Sequence, residues 1–156
     1  MSTLLTKRGD LVTATVEYLR DQIADLALVK PYEGELDRYS KKIQLKDDIF
    51  PVEVNLQTPF ALIISKEREN VGENNQRLKL KHYLSIYVGV SVNYNFGSTD
   101  TPTVFELLGD IASSLHNRQM IQNAGPLTLV SDGEYLVKTD LFVVYDQKYY
   151  QLELGF

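Results

Sequence analysis

The 156-residue chain has no cysteine, which excludes disulfides, thiolate metal sites and thiol nucleophiles. It has no tryptophan and only two histidines, His82 and His116, far apart and without the HxxxH or HxH spacing of a metal site. No apolar run approaches the roughly 18 residues of a membrane span. The opening MSTLLTKRGDL lacks the long apolar stretch of a secretory signal. The glycines form no phosphate-cradling GxGxxG or Walker-type pattern, and no GxSxG nucleophile elbow is present. A basic balance is also missing. The formal net charge is −5 and the pI is near 5.0, against the footprint of a nucleic-acid binder. The expectation is a soluble protein made in the cytoplasm, with no cofactor, no membrane partner and no sequence-specific nucleic-acid partner.

What is present is ordinary for one globular domain: 44% hydrophobic and 24% charged residues. Ten tyrosines stand out, a residue type that suits a sheet face covered by a partner. The stretch LKLKHYLSIYVGVSVNYN at 78–95 alternates without a break. Leu78, Leu80, His82, Leu84, Ile86, Val88, Val90, Val92 and Tyr94 share one parity, and lysines, tyrosines, serines and asparagines share the other. A strand of that length would reach about 60 Å if straight, far beyond the usual strand of about 5–6 residues. It therefore either bends, with Gly89 as the natural bulge point, or runs past its own core and joins the excursion at 37–58 in an interface.

Residues 10–27 carry helical periodicity through Leu11, Ala14, Thr15, Tyr18, Leu19, Ile23 and Leu26, with Asp10 a candidate N-cap. An extended piece at 26–36 is broken by Pro31 and Gly34 and reads as an edge strand or a strand end. Residues 37–58 form a charged excursion, a loop or extra hairpin. The run Phe60-Ala61-Leu62-Ile63-Ile64 has the pattern of a central strand buried on both faces. Polar, turn-prone residues follow from Glu69 to Gln76. A second helix spans about 104–117, through Val104, Leu107, Leu108, Ile111 and Leu115, with Thr103 and Glu106 as a capping box. The tail predicts two or three strands, with Asp132-Gly133 as a turn signal and Asp146–Lys148 as a bulge or a turn. Three strands in succession without an intervening helix predict an α+β fold. Its antiparallel or mixed sheet carries two amphipathic helices on one face, and the opposite face meets water or a neighbouring subunit.

Candidate chemistry is sparse. His82 reads as a partly covered strand-end histidine rather than a catalyst. His116 at the end of the second helix faces the negative end of the dipole, which accounts for it. Asp47 and Asp48 suit a charged loop better than a carboxylate pair. Arg8-Gly9-Asp10 spells an integrin-type tripeptide, yet it abuts a helix start. The lysines at 41, 42 and 46, and Lys79 and Lys81, read as solvated loops and strand ends. Acids, bases and nucleophiles do not cluster in sequence, so no catalytic, cofactor-binding or metal-ligating residue is assigned.

The order of segments resembles Mu-like contractile-phage tail proteins and is similar, more distantly, to the tail terminators of long-tailed phages of the lambda type. The matching features are the opening helix, VKPYEGEL (29–36), PFALIIS (59–65), the alternating strand at 78–94, FELLGDIASSLHN (105–117) and LFVVYDQKYYQLELGF (141–156). They cover most of the chain, and the excursion at 37–58 is longer than the family leads one to expect. The resemblance implies a single tail-terminator-like domain of 156 residues, without active site, metal or cofactor. It implies a virion protein that forms a ring of six, caps the tail tube and meets the head–tail connector. Another tube, connector or baseplate component is the alternative within that setting. A small α+β ligand-binding domain unrelated to phage is the alternative outside it.

Overall fold

The structure is a computed structural model that describes residues 7–31, 58–74, 77–91, 104–122, 124–138 and 142–155. The excursion at 37–58 therefore lies outside the described residues except for Thr58, and Asp47, Asp48, Thr103 and residues 92–95 lie outside them entirely. Seven elements follow in order: α1 (Arg8–Gln22), β1 (Leu28–Pro31), β2 (Phe60–Asn74), β3 (Arg77–Ser91), α2 (Val104–Leu115), β4 (Thr128–Lys138) and β5 (Phe142–Gly155). The strands make one mixed sheet in the order β1-β2-β3-β5-β4, with β1 parallel to β2 and every other pair antiparallel. The α+β architecture expected from the element order is the one observed.

Both helices serve a single core. α1 buries Leu11, Val12, Thr15, Val16 and Leu19, and α2 buries Val104, Leu107, Leu108, Ile111 and Leu115. These side chains close over Ala61 and Ile63 of β2, Leu84, Ile86, Val88 and Val90 of β3, and Tyr149 of β5. The Arg20 Nε donates to the Val29 carbonyl at 2.9 Å, tying the end of α1 to the edge strand. The run at 60–64 is buried on both faces, as its unbroken apolar pattern predicts.

The length of β3 has a simpler cause than either sequence-based account. Its neighbours are equally long: β2 and β3 have 15 residues each and β5 has 14. Both edges of β3 are paired within the chain, from Arg77 to Gly89 against β2 and from Leu78 to Ser91 against β5. Over its described residues β3 neither reaches out to a neighbour nor bends at Gly89. The irregularities fall instead on β2, between Ser65 and Arg68 and between Asn70 and Gly72, and on β4. The polar stretch from Glu69 continues β2 to Asn74 rather than forming a loop. Gly72 adopts φ +127°, and its N–H is capped by Asn70 Oδ1 at 2.9 Å, which is bulge chemistry. Asp132-Gly133 is likewise a bulge inside β4, not a turn, and Asp146–Lys148 continues β5 without interruption.

The face away from the helices also differs from expectation. Over its central part it is covered, not open to water: Leu62, Ile64, Tyr87, Val144 and Asp146 are all buried. Gly89 sits on this face because its neighbour Phe60 needs the space. A Cβ at residue 89 would come within 2.1 Å of the Phe60 ring. Replacing Gly89 with Ala is therefore expected to cost about 1–3 kcal/mol in urea unfolding, and the added change Phe60→Leu should return part of that loss.

Candidate functional site

Past Ile63, where β1 ends, the helix-facing side of the sheet changes from apolar to polar. Ser65 and Arg68 from β2, His82 from β3, and Gln151 and Glu153 from β5 converge there. The β2 bulge puts Arg68, not Glu67, opposite His82, and the β3–β5 register puts Gln151 on the other side of His82.

His82 is fully buried, and both of its ring nitrogens are engaged. Nε2 lies 2.8 Å from Ser65 Oγ, and Nδ1 lies 2.9 Å from Glu153 Oε1. A carboxylate only accepts, so Nδ1 carries the proton; in the neutral ring Nε2 is the acceptor, and the serine hydroxyl, which also lies 3.3 Å from the Lys66 carbonyl, can donate to it. Glu153 is also fully buried. It receives Gln151 Nε2 at 2.9 Å on the same oxygen, and Arg68 Nη2 stands 3.6 Å from the other. Ser65 is half-buried. From the first turn of α1, Arg8 Nε donates to Ser65 Oγ at 3.2 Å, and Arg8 Nη2 donates to the Lys66 carbonyl. Chemically the set is a hydroxyl, an imidazole and a carboxylate in hydrogen-bonded series, with a guanidinium beside the hydroxyl.

A second buried polar group lies nearby on β5. Gln147 Nε2 donates to the carbonyls of Leu108 in α2 and Asp132 in the β4 bulge, both at 2.9 Å, while its oxygen accepts from Tyr149 Oη at 2.6 Å. Burial, with a smaller contribution from the charge of Asp132, holds the Tyr149 phenol far above its ordinary pKa. On the opposite face Asp146 is raised by burial, against a hydrogen bond from Ser85 that acts the other way.

The sequence-predicted positions fare unevenly. His82 is not partly covered at a strand end; it is enclosed at the centre of the polar cluster. His116 is not explained by the helix dipole, because its Nδ1 accepts the Leu129 N–H at 3.1 Å. The Arg8-Gly9-Asp10 tripeptide forms the first turn of α1, with Lys7 as N-cap and Asp10 Oδ2 accepting the Lys7 N–H at 3.2 Å. Lys81 extends over the Tyr150 ring at 4.3 Å on the far face. The reading that acids, bases and nucleophiles do not cluster is corrected: residues 65, 82 and 153 meet only through strand pairing. Their one visible signal was His82, a titratable side chain on an otherwise apolar parity.

Two expectations follow. Glu153→Ala leaves His82, Gln151 and Arg68 facing a hole, and it should lose about 3–5 kcal/mol of stability. Combined with His82→Leu, the loss should fall below the sum of the single changes. For Tyr149, the unfolded chain releases the phenol proton near pH 10, whereas the fold retains it. Stability should therefore be unaffected by this group below about pH 10 and decline as pH rises further. Tyr149→Phe should flatten that decline in urea titrations at pH 9–11. Comparison of the chain with models of known protein families gives no match, and comparison with curated proteins finds no significant relative.

Proposed function

We propose that the protein is a structural component of a phage-type tail, a terminator that closes into a ring on the tail tube and meets the head–tail connector. The reading rests on the segment order described for the sequence and on an α+β sheet with two helices on one face. One observation carries it further, the outer side of β4. This strand of 11 residues is the last in the sheet and has no partner on that side among the described residues. Val130 is 53% and Tyr135 61% exposed. Phe105, 64% exposed, leans edge-on against Tyr145 at 5.8 Å, and Tyr135 does the same at 6.1 Å. An apolar, aromatic rim on an edge strand is a liability in a free monomer and an asset at a subunit contact. Register shifts along β4 keep such an edge from extending a sheet indefinitely, which suits a contact that closes by rotation.

Light scattering on a sizing column, followed by negative-stain imaging, tests this. The expected result is a particle of six 17.8 kDa chains seen as rings, either alone or on addition of tail tubes. Tyr135→Lys and Phe105→Lys should abolish the ring while leaving the melting temperature close to that of the wild type. Open-ended polymers would instead identify a tube component. A monomer that neither assembles nor caps tubes would overturn the proposal.

A further inference from the structure

The polar cluster on the helix-facing side has a property that a ring subunit does not require. We infer that Ser65 is a nucleophile activated by His82, and that the protein carries a site for acyl transfer from small carboxylic esters. Four observations support this, and none depends on the ring reading.

The first is connectivity. Ser65 Oγ to His82 Nε2 is 2.8 Å and His82 Nδ1 to Glu153 Oε1 is 2.9 Å, which is the series of nucleophile, base and orienting carboxylate. The second is the burial gradient. His82 and Glu153 are fully enclosed, which fixes the tautomer and the direction of the ring, whereas Ser65 is half-buried. The third is position. The register shift between Ser65 and Arg68 takes Lys66 and Glu67 out of the ladder with β3 immediately after the serine. Ser65 thus sits at the last paired position before a bulge in β2. The fourth is Arg8. Its Nε is 3.2 Å from Ser65 Oγ, in the first turn of α1. Both the guanidinium and the positive end of the helix favour negative charge beside the reacting oxygen.

The chemistry balances with these groups and water. Ser65 Oγ attacks the ester carbonyl carbon, and its proton passes to His82 Nε2 as the new C–O bond forms. The carbonyl oxygen becomes an oxyanion beside Arg8. Collapse breaks the bond to the alcohol, which leaves with the proton from His82. Water then attacks the acyl-serine, gives a proton to His82 and releases the carboxylic acid, and the proton returns to Ser65. The sum is ester plus water to acid plus alcohol. Glu153 acts through His82 and is a positioning residue.

The absence of cysteine gives a clean test. Ser65→Cys would be the only thiol in the chain, and its alkylation by iodoacetamide across pH reports directly on activation by His82. The expected result is a rate at pH 7 about tenfold or more above that of Glu17→Cys, an exposed thiol on α1. That advantage should vanish when His82→Gln is added. In parallel, the unmodified protein should take up a fluorophosphonate probe at Ser65 and hydrolyse p-nitrophenyl acetate. Ser65→Ala should lose both activities while still unfolding in one cooperative transition, at a midpoint lowered by the unpaired His82 nitrogen. Failure of the wild-type protein to react with the probe, or a Ser65→Cys thiol no faster than Glu17→Cys, would overturn the inference. Neither failure bears on ring formation, which the mass measurement reads separately.

Discussion

The imidazole of His82 joins three strands through two hydrogen bonds, and the outer half of the sheet is organised around it. As far as Ile63 the helix-facing side is closed by aliphatic packing, which is non-directional and tolerant. Beyond that point the same side buries His82, Gln151 and Glu153 and half-buries Ser65. Buried polar groups cost free energy unless they are bonded, and a buried carboxylate costs more than the others. The cost is offset only in the register that brings His82 between Ser65 and Glu153. A slip of one residue would bring Tyr83 or Lys81 opposite Gln151 in place of His82 and turn the imidazole to the other face. Apolar packing thus holds the sheet to the helices, and the polar series fixes how β2, β3 and β5 align.

The same face of β5 repeats this logic one pleat earlier. Gln147, Tyr149, Gln151 and Glu153 point toward the helix layer in succession and are all fully buried. Gln147 spends both donors on carbonyls of other elements, one in α2 and one in the β4 bulge. The Leu108 side chain explains why Gly133 is needed there: a Cβ would lie 2.8 Å from its Cδ1, and φ is +153°. The bulge, the helix and the strand are therefore one unit, and the exposed aromatic rim of β4 is carried on it.

Legibility in the sequence followed the type of interaction. The run at 60–64 and the five core residues of α2 were readable because apolar periodicity reports burial directly. Both helices, the edge strand broken by Pro31 and the mixed sheet were readable on the same ground. β5 misleads, because its apolar parity of Tyr150, Leu152 and Leu154 faces away from the core while Gln151 and Glu153 face into it. Polarity signals exposure only when no partner is available, and the partners here lie 71 and 17 residues from each other in the chain. The polar stretch after Glu69 resembles a loop for a related reason. It forms a hairpin arm with few core-facing apolar residues, and only its pairing with β3 marks it as strand.

A polar series kept solely to set register would be expected to close on itself, with every member enclosed and the charge neutralised at its centre. Here the series is enclosed at the glutamate end and at the histidine, yet it terminates in a half-buried hydroxyl beside the β2 bulge. A threonine or asparagine could also bond to the imidazole, and an aliphatic replacement of the whole set would remove its desolvation cost. Arg8 adds to the asymmetry. A cation bonded to the serine oxygen does nothing to stabilise a neutral hydroxyl that an N–H of any kind would not do, but it lowers the energy of negative charge on or next to that oxygen. Structural need accounts for the histidine and the glutamate. It does not by itself account for the combination of a half-buried serine, a ring nitrogen and a guanidinium at one point, and that combination is what distinguishes a reactive site from a staple.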